Sequence, residues 1–342
     1  MRKSPLLLAA PLALAALTGL TPPPPAEEAE PVEPVELAQL DPEAPPEMAE
    51  AEPAEPAEAE PRLPPAVVTD VFYSSDSDRS EVTRAAIELG MGDPRDERSI
   101  GIRVERARYN PAGRGWESRE RVFVRGAEKL GDWQLRARVG TDGDSLIGTL
   151  SLNDEAKFRK EFFIERDVVE TRQGLDRGLY STFVGGAVDL PVDDRNVFTA
   201  LAGVQDFTGD NVRLHLRGSY IHVVNPDKGL SVQLRGRYFR SSRPREFDYY
   251  SPRWYAEALP VVQMRRFIRG WELLGAVGLG VQRDSGTDWR GSRYLHARFQ
   301  TPRRSSWSIN GAVTYTNTPS ITGSPRSGYS YVQGTLGLSK RF

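Results

Sequence analysis

Apolar and polar residues alternate through most of the chain after residue 65. The pattern is clearest in four segments, DWQLRARVG (132–140), NVRLHLRGSY (211–220), LSVQLRGRYF (230–239) and RYLHARFQ (293–300). A period of two is typical of a β-strand with one apolar and one polar face. Segments rich in Gly, Pro, Asn and Asp, such as GTDGD and NPDKG, separate these runs. Their spacing predicts about sixteen strands, and no stretch after residue 65 has a sustained helical period.

The apolar faces suit lipid better than a thick protein core. Hydrophobic residues make up only 39% of the chain, and arginines recur on the polar face of many strands. In WSINGAVTY, Trp307 and Tyr315 flank the apolar face roughly 26 Å apart, which matches an apolar belt about 25 Å tall between two aromatic girdles. The predicted fold is therefore all-β: a transmembrane, antiparallel, up-and-down β-barrel over residues 66–342. We expect its last strand to pair with its first, because an open edge is not tolerated in lipid.

Residues 1–65 differ from the rest of the chain. Arg2 and Lys3 precede the short apolar run PLLLAAPLALAAL, which predicts a secretory signal peptide over residues 1–21. Residues 22–65 consist mainly of Pro, Glu and Ala and contain no aromatic residue, so we predict a disordered acidic linker. Two uses of this linker stay open: a plain spacer, or an arm that contacts a basic partner or the cell wall.

Charge is unevenly distributed, and cysteine is absent. Residues 1–65 hold 13 of the 47 acidic residues but 3 of the 45 basic ones, so the barrel region is net positive although the whole chain has a formal charge of −2. The absence of cysteine excludes disulfide scaffolds, cysteine-ligated metal sites and thiol catalysis. No phosphate-binding loop or basic nucleic-acid module is present. We therefore expect no catalytic residue, no cofactor, no metal and no nucleic-acid partner.

Three segments carry a resemblance to a known family: FFIERDVVETRQGLDRGLY (162–180), QDFTGDNVR (205–213) and FDYYSPRWYAEALPVVQMRRF (247–267). They resemble the C-terminal porin region of bacterial exopolysaccharide exporters. These are the poly-β-1,6-N-acetylglucosamine export porin and, more distantly, the outer-membrane subunit of cellulose secretion. The resemblance spans roughly residues 70–342 and is most specific in the YYSP segment, Tyr249–Pro252.

This resemblance implies a sixteen-stranded channel in the bacterial outer membrane that is not an enzyme. It would export a polysaccharide such as poly-N-acetylglucosamine or cellulose to the cell surface. The implied partners are the polysaccharide chain, outer-membrane lipid and a polysaccharide synthase in the periplasm or inner membrane. Phe342 resembles the terminal aromatic residue by which the outer-membrane assembly machinery recognises its clients. The exporters carry tetratricopeptide arrays before the barrel, and the acidic linker stands in that place here, so scaffolding of periplasmic enzymes is not predicted.

Strand parity predicts which side chains line the channel. Guanidinium groups offer several fixed hydrogen bonds to sugar hydroxyls or carboxylates, and aromatic faces can stack on sugar rings. The predicted lining residues are Arg136, Arg138, Arg213, Arg217, Arg235, Arg237, Arg298, Glu161, Glu165, Asp167, Tyr249, Tyr250 and Trp254. Two alternatives stay open: inward arginines and carboxylates neutralise each other across the wall, and the aromatic residues form an interfacial girdle. The arginine excess indicates an anionic or neutral polymer and fits poorly with a cationic, deacetylated glucosamine polymer.

Two other functions also stay open. A general or substrate-selective diffusion porin would carry an inward constricting loop, for which residues 241–256 are the candidate. An outer-membrane hydrolase would need a serine, a histidine and an acid, and His215 and His296 lie on the polar faces of their strands. The three histidines, of which His222 is the third, show no metal-ligand spacing.

Overall fold

The computed structural model describes residues 63–93, 95–112, 115–302, 306–319 and 328–342. Within these residues the chain forms sixteen β-strands and one short helix. The predicted signal peptide (1–21) and nearly all of the predicted linker (22–65) lie outside the described residues, so both stay predictions. The first strand begins at Pro65, one residue before the predicted start of the barrel.

Each strand is long enough to cross a bilayer. The lengths run from nine to fifteen residues, and a tilted transmembrane strand needs about 9–11. In chain order the strands are β1 Pro65–Asp76, β2 Glu81–Met91, β3 Ser99–Asn110, β4 Glu117–Leu130, β5 Trp133–Thr141, β6 Leu146–Asp154, β7 Lys160–Val168, β8 Tyr180–Pro191, β9 Asn196–Phe207, β10 Val212–Asn225, β11 Leu230–Ser241, β12 Trp254–Ile268, β13 Trp271–Asp284, β14 Arg290–Gln300, β15 Trp307–Thr316 and β16 Tyr331–Arg341. The helix α1, Arg172–Arg177, lies between β7 and β8.

The strands form a closed antiparallel barrel. Each strand pairs with its neighbours in the sequence, and β16 pairs with β1 from Ala66 opposite Arg341 to Asp76 opposite Tyr331. This closure leaves no strand edge with unpaired backbone groups, which is the condition for a sheet in lipid. The predicted fold, the strand number and the pairing of the last strand with the first are confirmed.

The outer face of the barrel is apolar and exposed. Every strand carries at least one large apolar residue on this face, with exposed fractions that reach 69% at Leu279 and 60% at Ile102. Trp271 and Trp307 lie on it near one end of the barrel. Soluble monomers do not expose apolar surface on this scale. The belt needs lipid around it, and the chain is an outer-membrane β-barrel.

The two ends of the barrel differ in the length of their connections. At the end where β1 begins, the strands are joined by short turns such as 131–132, 192–195, 226–229 and 269–270. The longest connections that are described throughout, 169–179 and 242–253, both lie at the opposite end. Outer-membrane barrels have short periplasmic turns and longer extracellular loops. This opposite end, the loop mouth, therefore faces the cell exterior. Among the described residues, no helix has both the length and the apolar character that crossing a membrane requires.

Candidate functional site

The inward side chains of the strands are mainly polar and closely packed. Leu214 and Leu216 are each 46% exposed on the outer face, whereas Arg213 and Arg217 are 1% and 7% exposed on the inner face. A sixteen-stranded barrel is wide enough for an aqueous channel, so the inward side chains must be buried by one another and by the loops. Their contacts divide the inner wall into an ion-paired side, β1–β8, and an arginine side, β9–β12.

On the ion-paired side, inward arginines contact inward carboxylates. Glu105 on β3 accepts hydrogen bonds from Arg103 Nη2 at 2.8 Å and from Arg121 Nη1 at 3.0 Å. Arg121 also donates from Nη2 to Asp167 Oδ1 at 2.6 Å. Arg84 Nη2 on β2 lies 3.7 Å from Asp167 Oδ2 on β7, so side chains of these two strands meet inside the barrel. The protein itself therefore compensates these charges.

An apolar cluster fills the same side. Leu175 brings α1 into this cluster, and Glu170, just before the helix, forms an ion pair with Arg84. Burial raises the pKa of Glu170. Because protein occupies this side of the interior, a passage for solutes has to run past the other strands. The buried members of the cluster are Phe72, Val82, Ala107, Tyr109, Phe123, Ile147, Val168, Leu175 and Tyr180.

A carboxylate joins α1 to the loop 242–253 at the loop mouth. Thr171, the N-cap of α1, donates from Oγ1 to Asp248 Oδ1 at 2.6 Å. The backbone N–H of Gln173 donates to Asp248 Oδ2 at 2.8 Å. One side chain thus satisfies a free N–H at the start of the helix and binds the loop to it.

The tyrosines of the YYSP segment anchor the same loop. Tyr249 stacks on Phe207 with ring centroids 4.4 Å apart, and its hydroxyl accepts a hydrogen bond from Asn211 Nδ2 at 2.9 Å. Tyr250 donates from its hydroxyl to Asp284 Oδ2 at 2.8 Å. Burial raises the pKa of Tyr249 to about 12 and raises that of Tyr250 as well. The two residues are 3% and 6% exposed, so neither ring is offered to a ligand and the predicted stacking role is corrected.

These contacts bring together the three segments that carry the family resemblance. Asp248 and Tyr249 of 247–267 contact 162–180 and 205–213 respectively. The backbone N–H of Asp210 adds a hydrogen bond to Glu246 Oε1 at 2.7 Å. The resemblance is therefore concentrated at one place in the fold, the loop mouth.

A row of aromatic rings begins on β7 and β8, at the border of the ion-paired side, and runs along the inner wall to β12 on the arginine side. Phe163 and Phe183 stack with centroids 5.4 Å apart, and Phe183 meets His215 at 5.2 Å. The row continues from His215 to Phe239 at 5.6 Å and from Phe239 to Tyr255 at 5.0 Å. These rings give the polar wall a flat apolar surface between its charged groups.

Guanidinium groups lie over this row. Arg213 lies over the ring of Phe239 at 4.6 Å and Arg237 over the same ring at 5.4 Å. Arg213 Nη2 also donates to the backbone carbonyl of Tyr250, which ties the loop 242–253 to the inner wall. A cation–π contact stabilises a guanidinium group without neutralising its charge. The arginine side therefore keeps a positive charge that the ion-paired side does not.

The other predicted lining residues lie on several inward faces. Arg298 Nη2 donates to Glu272 Oε1 at 2.6 Å and Arg159 Nη2 donates to Glu161 Oε2 at 3.1 Å, so the neutralising alternative applies to both pairs. A role of the lining residues in carrying substrate stays a prediction. The remaining ones are Arg136 and Arg138 on β5, Glu165 and Asp167 on β7, and Arg217, Arg235 and Arg237 on β10 and β11.

Trp254 lies on the other face. Tyr255 and Leu259 point inward from β12, whereas Trp254 has the outward parity and lies at the loop mouth. The guanidinium of Arg283 lies over its ring at 5.9 Å. This position corrects the predicted lining role, because an outward ring at the end of a strand belongs to the interfacial girdle.

Sequence reasoning missed the inward aromatic residues, although parity could have found them. Phe239 follows Arg235 and Arg237 at the spacing of two that defines one face of a strand. The same holds for the charges of the ion-paired side, which alternate in SIGIRVERARYN (99–110). The missed residues are Phe163, Phe183 and Phe239 among the aromatics, and Arg84, Arg103, Glu105 and Arg121 among the charges.

Neither inward histidine has the partners of a hydrolase. His215 Nε2 lies 3.1 Å from Gln205 Oε1, and His296 Nδ1 lies 2.9 Å from Thr314 Oγ1. In the part of the chain that the structure describes, no carboxylate contacts either ring, so neither forms a Ser-His-acid arrangement. In the same part, no cluster of His, Asp and Glu could hold a metal ion.

The barrel resembles solved outer-membrane channels. A structure described as "Bacterial polysaccharide outer membrane secretin" aligns with a TM-score of 0.61 over 82% of this chain and 99% of that chain, at 11% identity. The two chains share the fold of an outer-membrane β-barrel. OccK5 (OpdH) of Pseudomonas aeruginosa aligns at 0.39 over 81% and 96%, at 11% identity, and OmpT of Vibrio cholerae at 0.41 over 82% and 99%, at 8% identity. A scan against protein-family models and a search of curated proteins find no match.

Proposed function

We propose that this barrel exports an exopolysaccharide across the outer membrane to the cell surface. The observation that carries the proposal is the arginine side, where guanidinium groups lie among aromatic rings along β10, β11 and β12. Guanidinium donors can contact sugar hydroxyls, and the buried rings beneath them fix their orientation. Many such contacts, each weak, let a polymer slide along a wall rather than bind at one point.

Two further observations support the same function. The barrel shares its fold with a bacterial polysaccharide secretin, and the three segments that resemble exopolysaccharide exporters meet at the loop mouth. The resemblance suggests a poly-N-acetylglucosamine- or cellulose-like polymer, and the arginines disfavour a cationic, deacetylated form. A polysaccharide synthase in the cell envelope and the outer-membrane assembly machinery are the partners that this function requires.

A diffusion porin is the second candidate, and one observation favours it. The loop 242–253 packs against the inner wall at the loop mouth through Tyr249 on Phe207 and Arg213 on the carbonyl of Tyr250. It lies within the segment 241–256 that the sequence offers as a constricting loop. Such a loop narrows the channel to the size of small solutes.

Deletion of the gene in its own bacterium separates the two functions. We expect the deletion strain to lose polysaccharide at the cell surface, measured by linkage analysis of washed cells, and to retain it inside the envelope. Uptake of small hydrophilic solutes should not change, and the full-length gene should restore export. If surface polysaccharide stays at the wild-type level while solute uptake falls, the chain is a diffusion porin and the export proposal fails.

A further inference from the structure

Positive charge is concentrated on three neighbouring strands of the inner wall. The inward faces of β9, β10 and β11 carry four arginines and no Asp or Glu. All residues of these strands are described, so this difference in charge is complete for this part of the wall. The four arginines are Arg213, Arg217, Arg235 and Arg237.

Two of these arginines face each other directly. Arg217 and Arg237 are register partners in the β10–β11 ladder, and they are 7% and 8% exposed. Like charges at directly opposite positions of a sheet repel each other, and a buried charge is normally paired with an opposite one. An inward carboxylate on the neighbouring strand β12 is that of Glu257, the register partner of Arg237. Its Oε1 accepts hydrogen bonds from the hydroxyls of Ser292 and Thr318, and its charge acts on Arg217, so one carboxylate stands against three guanidinium groups.

The guanidinium groups are held in place while some of their donors have no hydrogen-bond partner. Arg237 lies over the ring of Tyr255 at 5.4 Å, and Arg235 lies over that of Tyr294 at 5.1 Å. Nε of Arg217, Nη2 of Arg235, and Nε and Nη1 of Arg237 are buried and have no hydrogen-bond partner. Aromatic packing fixes the plane of a guanidinium group without using its N–H donors.

Arg213 is different from the other three. It is 1% exposed and donates to the carbonyl of Tyr250 in the loop 242–253. This arginine holds the loop against the wall and is not available to a ligand. The donors without a partner that a ligand could use are therefore those of Arg217, Arg235 and Arg237.

We propose that Arg217, Arg235 and Arg237 form a binding site for the carboxylate groups of an acidic polysaccharide, an inference that rests on the proposed export function. A carboxylate accepts two hydrogen bonds from a guanidinium group in a matching plane, and it supplies the negative charge that this part of the wall lacks. A neutral sugar would supply acceptors but would leave an excess of positive charge on this part of the wall. The rings of Phe239, Tyr255 and Tyr294 are buried beside the same groups and hold the guanidinium planes in position.

A polymer with a carboxylate on each sugar would use this site repeatedly. Each unit that leaves the arginines is followed by another at a short distance, so the local carboxylate concentration stays high. The chain can then move without an energy minimum deep enough to stop it. A free monomeric acid has no such advantage and should bind less tightly than an oligomer.

Current block in planar bilayers tests this inference with the purified full chain. The probes are oligogalacturonate, cello-oligosaccharide and glucosamine oligomers of equal length, which are acidic, neutral and cationic, and the galacturonate monomer. We expect oligogalacturonate to block with a dissociation constant at least about tenfold lower than that of the neutral oligomer. The triple variant R217Q/R235Q/R237Q should lose this difference and still form channels.

A matched control removes the same charge from the outside of the same hairpin. Arg240, Arg243 and Arg253 are exposed residues of β11 and the loop 242–253, so R240Q/R243Q/R253Q should change the acidic-to-neutral ratio by less than about twofold, because exposed charges are screened. A shift in the electrophoretic mobility of unheated protein checks that both variants fold.

Three results would overturn the inference: equal block by acidic and neutral oligomers, equal block by the galacturonate monomer and its oligomer, or an equal loss in both triple variants. The export function is tested separately. If deletion leaves surface polysaccharide unchanged while oligogalacturonate still blocks the channel, the proposed function fails and the carboxylate site stands. If deletion abolishes export but the acidic oligomer shows no preference, the exporter stands and its polymer is not acidic.

Discussion

Arginine has a different role on each of the two sides of the inner wall. On the ion-paired side, Arg103 and Arg121 share the buried carboxylate of Glu105. On the arginine side, Arg217 faces Arg237, and within the described part of the chain neither forms an ion pair at the distance seen for Arg103 and Arg121. A buried arginine with a carboxylate beside it is satisfied by the protein, whereas one held by aromatic rings keeps its charge and some of its donors. Burial alone therefore does not distinguish a structural arginine from one that can bind a ligand. The distinction depends on whether a carboxylate of the protein is paired with it.

The same difference separates the side of the barrel interior that protein side chains fill from the side along which a solute can pass. Side chains from β2 and β7 meet inside the ion-paired side, and α1 adds Leu175 to the apolar cluster there. That side acts as an internal core that holds the loop mouth in shape. The arginine side is the part of the wall left to define the chemistry of a passage.

The largest effect is expected from removing a shared carboxylate on the ion-paired side. Glu105→Gln leaves Arg103 and Arg121 with uncompensated buried charge, so we expect a loss of about 3–5 kcal/mol in the free energy of unfolding. Reversible urea unfolding in lipid vesicles measures it. Glu257→Gln on β12 is the comparison variant, because among the described residues Glu257 accepts its hydrogen bonds from the hydroxyls of Ser292 and Thr318, and its loss should be under about 1.5 kcal/mol. Equal losses would remove the distinction between the two sides.

The reverse outcome is expected for arginines on the arginine side. The double variant Arg217→Gln with Arg237→Gln relieves the repulsion of two like charges, so we expect unfolding free energy to stay constant or rise by up to about 1 kcal/mol. Arg121→Gln on the other side should lower it by about 3 kcal/mol, since Glu105 and Asp167 lose a partner. The same urea measurement compares the two variants. If the double variant lost several kcal/mol in the free energy of unfolding, these arginines would be stabilised by opposite charges, and the contrast between the two sides would fail.

Ion selectivity should depend on the arginine side and on salt. We expect the wild-type channel to prefer chloride over potassium, and R217Q/R235Q/R237Q to reduce that preference by at least about half. Raising KCl from 0.1 to 1 M should also weaken it, because the screening length falls from about 10 Å to about 3 Å. Reversal potentials across a tenfold salt gradient measure both effects. Unchanged potentials in the variant would place the selectivity elsewhere.

The smallest effect is expected at the contact that joins the two sides. Asp248→Ala removes the hydrogen bonds from Thr171 and Gln173, so we expect a loss of about 1 kcal/mol and faster proteolysis within the loop 242–253. Mass spectrometry of digested vesicles locates the cuts. Asp194→Ala, in the exposed turn 192–195 at the other end, is the control and should leave the cleavage rate unchanged. Equal rates in both variants would show that Asp248 does not hold the loop.

Much of this architecture could be predicted because lipid imposes a strict rule on strands. The side-chain period is two, so the parity that sends Leu214 and Leu216 to lipid also sends Arg213 and Arg217 inward. Strand number and closure follow from turn signals and from the need to pair every edge. The position of Trp254 could not be read in the same way, because a strand boundary inside YYSPRWY decides its parity and the sequence does not mark that boundary.

The amino-acid sequence by itself determined the barrel, its apolar belt and the inward side of each charged residue, since these depend on local alternation and on the solvent around the strand. Only the tertiary structure decided which charges find partners, because Arg84 and Glu170 meet across 86 residues of chain and such contacts depend on register, barrel curvature and loop packing together. The tertiary structure also shows that Tyr249 and Tyr250 are buried and anchor a loop, whereas the sequence suggested exposed rings. Parity selects a face, but the free energy of a buried charge is set by its neighbours on other strands, and local sequence does not contain them.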